Sequence, residues 1–404
     1  MPGLLSCLLI STTASLAFQD AAPAKQPTTR PDPDRGAVYD EAVRERQSID
    51  QAIADGLAYL AKSQQDNGSW GTGLSTRGTE IYARVPGSLD SFKTATTALA
   101  VMALQEAGGE KSPYPEVYRK GVNWLKTDGR VRRDQRDLMY NTWAHTYALE
   151  AMANEIISGN EDPKIRESAE YHLGKMLAYE TYVGGWNYYD FEAGTQRPSM
   201  EPTSFSTAAG LLALRRAKEA GLNVPEQTMR RSLNRLKDAR RPDGAFLYGS
   251  GYRYGPNAAA NKWQGSAGRS QSGNYVLWLF GTEGFDHEDL DYSLDKLQEN
   301  WIYLNIGRKR PFPHEAFYQN SGYYYYFGMY HSAREVEALP EGASKREHAQ
   351  NVRKMIMPFQ EADGSWWDYA MWDYHKPYGT AYAIMSLIRL NAALAPAAEE
   401  AGQE

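Results

Sequence analysis

One pattern occurs three times in this chain, and it limits the fold more than any other feature. The segments TTALAVMAL, STAAGLLAL and GTAYAIMSL share a Thr-Ala step at Thr97-Ala98, Thr207-Ala208 and Thr380-Ala381. Each follows an amphipathic stretch and a glycine–aromatic turn. Two of those turns, QQDNGSWG at 64–71 and QEADGSWW at 360–367, are nearly the same. A unit that repeats buries its apolar face against its neighbours, so the chain reads as an array of stacked units.

Aligning the apolar helices on the Thr97-type position gives six units. The occupants are Thr97, Tyr147, Thr207, Ser272, Ser321 and Thr380, and each is followed by Ala or Gly. A small residue there lets helix backbones approach closely, as an inner ring of helices requires. Outer helices are predicted at 49–63, 116–126, 164–179, 226–239, 289–301 and 345–359, with Ile49, Ile53, Leu57 and Leu60 forming one apolar stripe in the first. Inner helices are predicted to begin near Phe92, Tyr140, Thr203, Arg269, Asn320 and Tyr378. Six pairs close into an all-α (α/α)6 toroid. The competing architecture, an open solenoid, would leave an uncovered apolar face at each end. Outer-to-inner connections are long and inner-to-outer ones short. The long loops therefore gather on the rim where inner helices start, which marks that rim as the mouth of a central cavity.

The termini read separately. Residues 1–17 are expected to be a signal peptide, with an apolar run at 4–16 and small residues Ser15 and Ala17 at the cleavage positions. No Lys or Arg precedes that run, and Cys7 leaves lipidation open. Residues 18–45 are a Pro- and Ala-rich linker, 46–392 the toroid and 393–404 an acidic tail. Cys7 is the only cysteine, so the mature chain has no disulfide. No further apolar run is long enough to span a membrane, although peripheral membrane contact stays open. A net charge of −6 gives no reason to expect nucleic acid. The expected location is periplasmic or extracellular.

The stretch AIADGLAYLAKSQQDNGSWG at 52–71 resembles the QW repeat of squalene and oxidosqualene cyclases and protein prenyltransferases. Residues 348–390 share its outline, and Gly184-Gly185-Trp186 and Gly244-Ala245-Phe246 are degenerate copies. The resemblance implies the toroid, with Trp70 and Trp366 as packing residues. It also implies two chemistries, and the alignment tests both. Cyclases of that family protonate an alkene with acids four, two and one residues before the Thr. The eighteen corresponding places hold no carboxylate. Asp90, seven residues before Thr97, is the nearest substitute, and helix N-capping is its neutral explanation. The prenyltransferases hold zinc with Asp, Cys and His. Here the histidine place is Gly379, and the mature chain lacks cysteine, so no metal and no other cofactor is expected.

The residues leave a basic, aromatic mouth. Catalytic candidates are Asp90, His145 and His375. Ligand-binding candidates are Lys93, Arg253, Arg269, Asn274, Lys376, Tyr378 and Trp372. Helix N-termini with guanidinium groups suit an anion, whereas aromatic faces suit a polyprenyl chain or a sugar ring. The reading is an exported terpene cyclase/prenyltransferase-like repeat protein. It binds an amphipathic or anionic lipid or saccharide in the cavity, as an isoprenoid cyclase or transferase with a replaced acid if it is catalytic. Two alternatives stand beside it. A polysaccharide lyase or hydrolase would use loop acids such as Asp190, Glu192, Glu201, Asp363, Asp368 and Asp373. A non-catalytic scaffold would have a lumen filled with side chains.

Overall fold

A computed structural model describes residues 48–76, 86–133, 136–199, 201–249, 255–315 and 317–395. The expected signal peptide and linker, and residues 396–404 of the tail, lie outside the described residues.

Helices alternate between two layers. The outer layer holds α1 (Ile49–Ser63), α3 (Pro115–Thr127), α5 (Pro163–Tyr179), α7 (Glu226–Ala239), α9 (His287–Gly307) and α11 (Ala343–Ile356). The inner layer holds α2 (Pro86–Glu106), α4 (Asn141–Ile157), α6 (Ser204–Glu219), α8 (Arg269–Leu279), α10 (Tyr325–Ala338) and α12 (His375–Leu394). Among the described residues there is no strand, only isolated bridges. Each inner helix packs on the next, and α12 packs on α2, which closes the ring. The array is a toroid, not an open solenoid.

Sequence chemistry explains the two layers. α1 buries Ile49, Ala52, Gly56, Leu57 and Leu60, one stripe at helical spacing, and leaves its other face wet. Its start is fixed by Ser48, whose Oγ accepts the Gln51 N–H at 3.1 Å. α6, by contrast, buries every residue from Ser204 to Leu214, because neighbours touch it on all sides. A short link sends the chain from α2, α4, α6, α8 and α10 back along the outer helix that follows each. α1, which no inner helix precedes, seats instead on α12.

The glycine–aromatic turns stitch the layers. Trp70, Trp186 and Trp366 donate backbone N–H bonds to Thr97, Thr207 and Thr380 Oγ1 at 3.0, 3.1 and 3.0 Å. Their indole Nε1–H groups donate to Leu60, Met176 and Ile356 carbonyls at 2.8, 2.8 and 3.1 Å. Gln64 Nε2 donates to Val117 O on α3 at 2.8 Å, and Gln360 Nε2 donates to Ala52 O on α1 at 2.9 Å. The second of these bonds ties the last outer helix to the first.

Three registers differ from expectation. In the fourth unit Phe246 N–H donates to Ser270 Oγ at 3.1 Å, so Ser270, not Ser272, holds the Thr position. In the fifth, α10 begins at Tyr325, and Ser321 lies before it as the cap of a 3-10 turn. α2 begins at Pro86, so Asp90 is inside the helix and does not cap it.

Candidate functional site

The ring encloses a cavity of about 180 Å³ on its axis, near the N-terminal ends of the inner helices. α2 lines it with Phe92, Ala95, Thr96 and Leu99, which fall at i, i+3, i+4 and i+7 and so share one face. α4 adds Trp143 and Tyr147, α6 adds Phe205, α10 adds Phe327, and α12 adds Tyr378 and Tyr382. The loops ahead of inner helices supply Tyr140, Tyr188, Tyr189, Tyr248, His314, Tyr323, Tyr324, Tyr369 and Met371. Fourteen of these nineteen lining residues are aromatic, and none is Asp, Glu, Lys or Arg.

The rings interlock. Tyr188 and Phe205 stack at 6.0 Å between centroids, and Trp143 and Tyr147 stack at 5.7 Å. The Tyr382 hydroxyl bonds the Tyr147 hydroxyl across the lumen floor. Burial pushes Tyr248, Tyr324, Tyr378 and Tyr382 well above the usual phenol range, so their hydroxyls stay protonated. In the Tyr323–Tyr326 run, Tyr323 and Tyr324 line the lumen. Tyr325 turns outward and donates to Met355 O at 2.6 Å.

One carboxylate stands directly behind the wall. Asp368 is fully buried, accepts the Tyr378 hydroxyl at 2.6 Å and accepts the Tyr326 N–H at 3.0 Å. Burial pushes its carboxyl up to about 6, against the lowering effect of those hydrogen bonds.

The predicted site residues scatter around this cavity, and Tyr378 is the one that lines it. Asp90 is exposed on α2. His145 lies between α4 and α5, fully buried, with its Nδ1 2.8 Å from His172 Nδ1. Both Nε2 atoms are buried without a hydrogen-bond partner. Desolvation, then the second imidazole, lowers His145 well below the usual range, and desolvation lowers His172 to about 3. His375 begins α12 with its Nδ1 2.6 Å from Trp372 O. Trp372 packs on Phe92 at 6.3 Å beside the rim, with φ at 41°. Lys93 is half-buried on α2, and Lys376 pairs with Asp363 at 2.5 Å. Asn274 is taken up in the frame, donating to Gly244 O at 3.2 Å and Ser293 Oγ at 3.0 Å and accepting from Arg240 Nε at 3.1 Å. Arg269 is buried behind the wall, its guanidinium 5.2 Å from the Tyr248 ring centre and 5.6 Å from that of Tyr324. Arg253 lies outside the described residues.

Sequence reasoning missed Trp143, Tyr147, Phe205, Phe327, Tyr382 and His314. A usable signal existed for two pairs. Trp143 with Tyr147 and Tyr378 with Tyr382 are aromatic residues four apart on inner helices, and so share a face. His314 carried no such signal, because a loop places it.

Among the described residues no group of three or more His, Cys, Asp or Glu side chains is placed to hold a metal ion. No helix among them is long and apolar enough to cross a membrane.

No family model and no curated protein matches the chain. Solved structures do. One is a variant of the type II terpene cyclase MstE from Scytonema in complex with geranylgeranyl dihydroxybenzoate. It is 13% identical, over 86% of this chain and 98% of that one, with a TM-score of 0.51. Another is an inactive variant of the α-1,6-mannanase GH76A of Salegentibacter sp. HEL1_6 in complex with α-1,6-mannotetrose. It is 12% identical, over 86% of this chain and 100% of that one, with a TM-score of 0.56. The unliganded mannanase matches at a TM-score of 0.54 with 12% identity, over 86% of this chain and 100% of that one. At such identities the likeness concerns the fold, and this chain is an α/α toroid similar to those of terpene cyclases and mannanases.

Proposed function

We propose that the lumen is a binding chamber for a short isoprenoid-like chain, and that the protein is a terpene-cyclase-like toroid acting outside the cytoplasm. One observation carries this reading. The lumen wall is aromatic nearly all round, and no carboxylate, Lys or Arg lines it among the described residues. A glycan hydrolase needs two carboxyl groups facing the bond it cleaves. A branched hydrocarbon needs apolar area, and ring faces also stabilise positive charge on a ligand. The volume limits the ligand. An engineered apolar cavity of about 150 Å³ takes benzene, so about 180 Å³ buries roughly seven carbons at the same ratio, and a ten-carbon chain would reach into the mouth.

The wall does not support alkene protonation by a lumenal carboxylic acid. The buried carboxyl of Asp368 is screened from the cavity by Tyr378, whose phenol is too weak an acid for an alkene. The reading is therefore of binding first. The apolar segment at 4–16 supports export, the same compartment as in the sequence expectation.

Titration calorimetry tests this with geraniol, myrcene and α-1,6-mannotriose. Geraniol and myrcene are expected to bind with Kd in roughly the micromolar to sub-millimolar range, since apolar burial exceeds association costs only modestly at this size. Mannotriose is expected not to bind. Leu99→Trp, which fills the lumen from α2, is expected to abolish terpene binding with the fold intact by circular dichroism. Binding of mannotriose without the terpenes, or unchanged terpene binding by Leu99→Trp, refutes the reading.

A further inference from the structure

The loop before α10 holds one imidazole in the lumen wall through both ring nitrogens and through the backbone N–H of the same residue. His314 N–H donates to Ser321 Oγ at 3.0 Å. His314 Nδ1 lies 2.5 Å from Gln319 O, and its Nε2 lies 3.0 Å from the Tyr323 hydroxyl. A carbonyl oxygen only accepts, so Nδ1 carries the proton and Nε2 is bare. The Tyr323 hydroxyl therefore spends its proton on His314 Nε2. The phenol oxygen is left to accept only, with the Ser321 and Tyr324 hydroxyls beside it and the lumen in front of it.

The backbone at this place is unusual. His314 and Gln319, the two ends of the Nδ1 bond, both have φ of 58°, in the left-handed region that non-glycine residues seldom adopt. Strain of that kind persists where surrounding structure fixes it, and it gathers at working sites. Packing adds further restraint. The His314 ring meets Tyr248 edge-on at 5.7 Å and Tyr323 edge-on at 6.1 Å. His314 and Tyr323 both line the lumen.

We infer that the His314–Tyr323 dyad is a recognition site for a ligand hydroxyl, selecting isoprenoid alcohols or phenols whose O–H donates to Tyr323. This rests on the reading of the lumen as an isoprenoid chamber and adds the polar end of the ligand. It is selective by donor character. An alcohol fits, whereas an ether, a carboxylate or a diphosphate brings only acceptors to an oxygen whose proton is already committed.

The test compares geraniol with geranyl methyl ether by titration calorimetry. One hydrogen bond made or lost inside the protein corresponds to a factor of about 2–10 in Kd, and the native protein is expected to prefer geraniol by that factor. Tyr323→Phe keeps the ring and removes the hydroxyl, so the preference is expected to fall to about one. His314→Asn suits the left-handed backbone but does not replace the imidazole acceptor. Tyr323 is then free to donate, and the ether is expected to bind about as well as the alcohol. Equal binding of alcohol and ether by the native protein overturns the dyad and leaves the isoprenoid chamber standing. A preference kept in both variants also overturns it. Failure of all three terpenoids to bind the native protein refutes the chamber itself.

Discussion

The seam where the ring closes allows two chemically identical substitutions to be set against each other. Gly56 on α1 lies under the Trp366 indole, and Gly174 on α5 faces open space. A methyl at Gly56 would lie 2.9 Å from Trp366 Cζ3 and 3.1 Å from two carbons of Ile384, while at Gly174 nothing lies within 4 Å. Both glycines are inside helices, so alanine brings each helix a gain of about 0.5–1 kcal/mol through lower backbone entropy cost. At Gly174 that gain stands alone. At Gly56 a neighbour has to retreat by roughly 0.5 Å to reach ordinary contact. Trp366 is poorly able to do so, because its indole is bonded to Ile356 O at 3.1 Å and its backbone N–H to Thr380 Oγ1 at 3.0 Å. Overpacking of this kind costs about 1–3 kcal/mol and cancels or exceeds the helix gain. Urea unfolding is expected to show Gly174→Ala more stable than the native protein and Gly56→Ala equal or less stable. The two variants should differ by about 1–3 kcal/mol at matched m values. If Gly56→Ala gains as much as Gly174→Ala, the seam has slack, and the reasoning that the ring is locked through Trp366 is refuted.

Three further outcomes follow from buried ionisable groups. Glu335 on α10 is fully buried, and burial, against the lowering effect of the Ser293 hydroxyl, holds it well above the usual carboxyl range. The folded chain keeps a proton that the unfolded chain releases above about pH 4.5, so stability falls as pH rises from there, by about 1.4 kcal/mol per unit. Glu335→Gln should therefore gain on the native protein as pH rises from 4.5 in urea unfolding, and a pH-independent difference would count against this. His172 has the opposite sign. Its folded value of about 3 means that unfolded imidazoles take up protons below about pH 6.5 while the buried pair does not. Stability is thus full above pH 6.5 and is lost as pH falls toward 3. His172→Phe should make that acid-side loss shallower by about 1.4 kcal/mol per unit, and an unchanged slope would exclude the role. Tyr378→Phe removes the hydroxyl that Asp368 accepts and should cost about 1–3 kcal/mol at pH 7.5, less below pH 6 where the carboxyl takes a proton. No loss at pH 7.5 would mean that the bond contributes nothing.

The ring was legible because its determinants are local. Threonine hydroxyls and indoles recur at fixed offsets, and α1 and α7 fall at the predicted 49–63 and 226–239. Register failed where the markers were weak. The fourth unit has Phe246 in place of tryptophan and two serines, Ser270 and Ser272, two residues apart, and spacing alone does not tell which takes the Thr role. The basic mouth was harder to read, since charge in a sequence does not show its partner. Lys376 looks free until Asp363 folds against it, and Arg269 looks exposed until Tyr248 and Tyr324 cover it. His145 lies two residues from both Trp143 and Tyr147, about 200° round the helix, so a face carrying those two rings inward sends the imidazole outward to His172.

The places where cyclases of the resembling family carry their acids are lumenal positions in this ring too. Two residues before the Thr position stand Ala95, Phe205 and Tyr378 in the first, third and sixth units, and one residue before it stands Thr96 in the first. All four side chains line the lumen. The backbone therefore still presents those positions inward, and the side chains there have no carboxyl to give. A carboxylate in such a wall would be desolvated on every side, as Asp368 already is one layer back. An apolar wall carries no such cost and gains ring faces for the ligand. Placing an acid at Phe205, as Phe205→Asp, should therefore cost about 3–5 kcal/mol of stability through lost ring packing, together with the burial of an unpaired carboxyl. It should also weaken myrcene binding by more than tenfold. A Phe205→Asp variant that keeps both its unfolding midpoint and its terpene affinity would show that the lumen is wet, and a wet lumen removes the basis for an isoprenoid ligand.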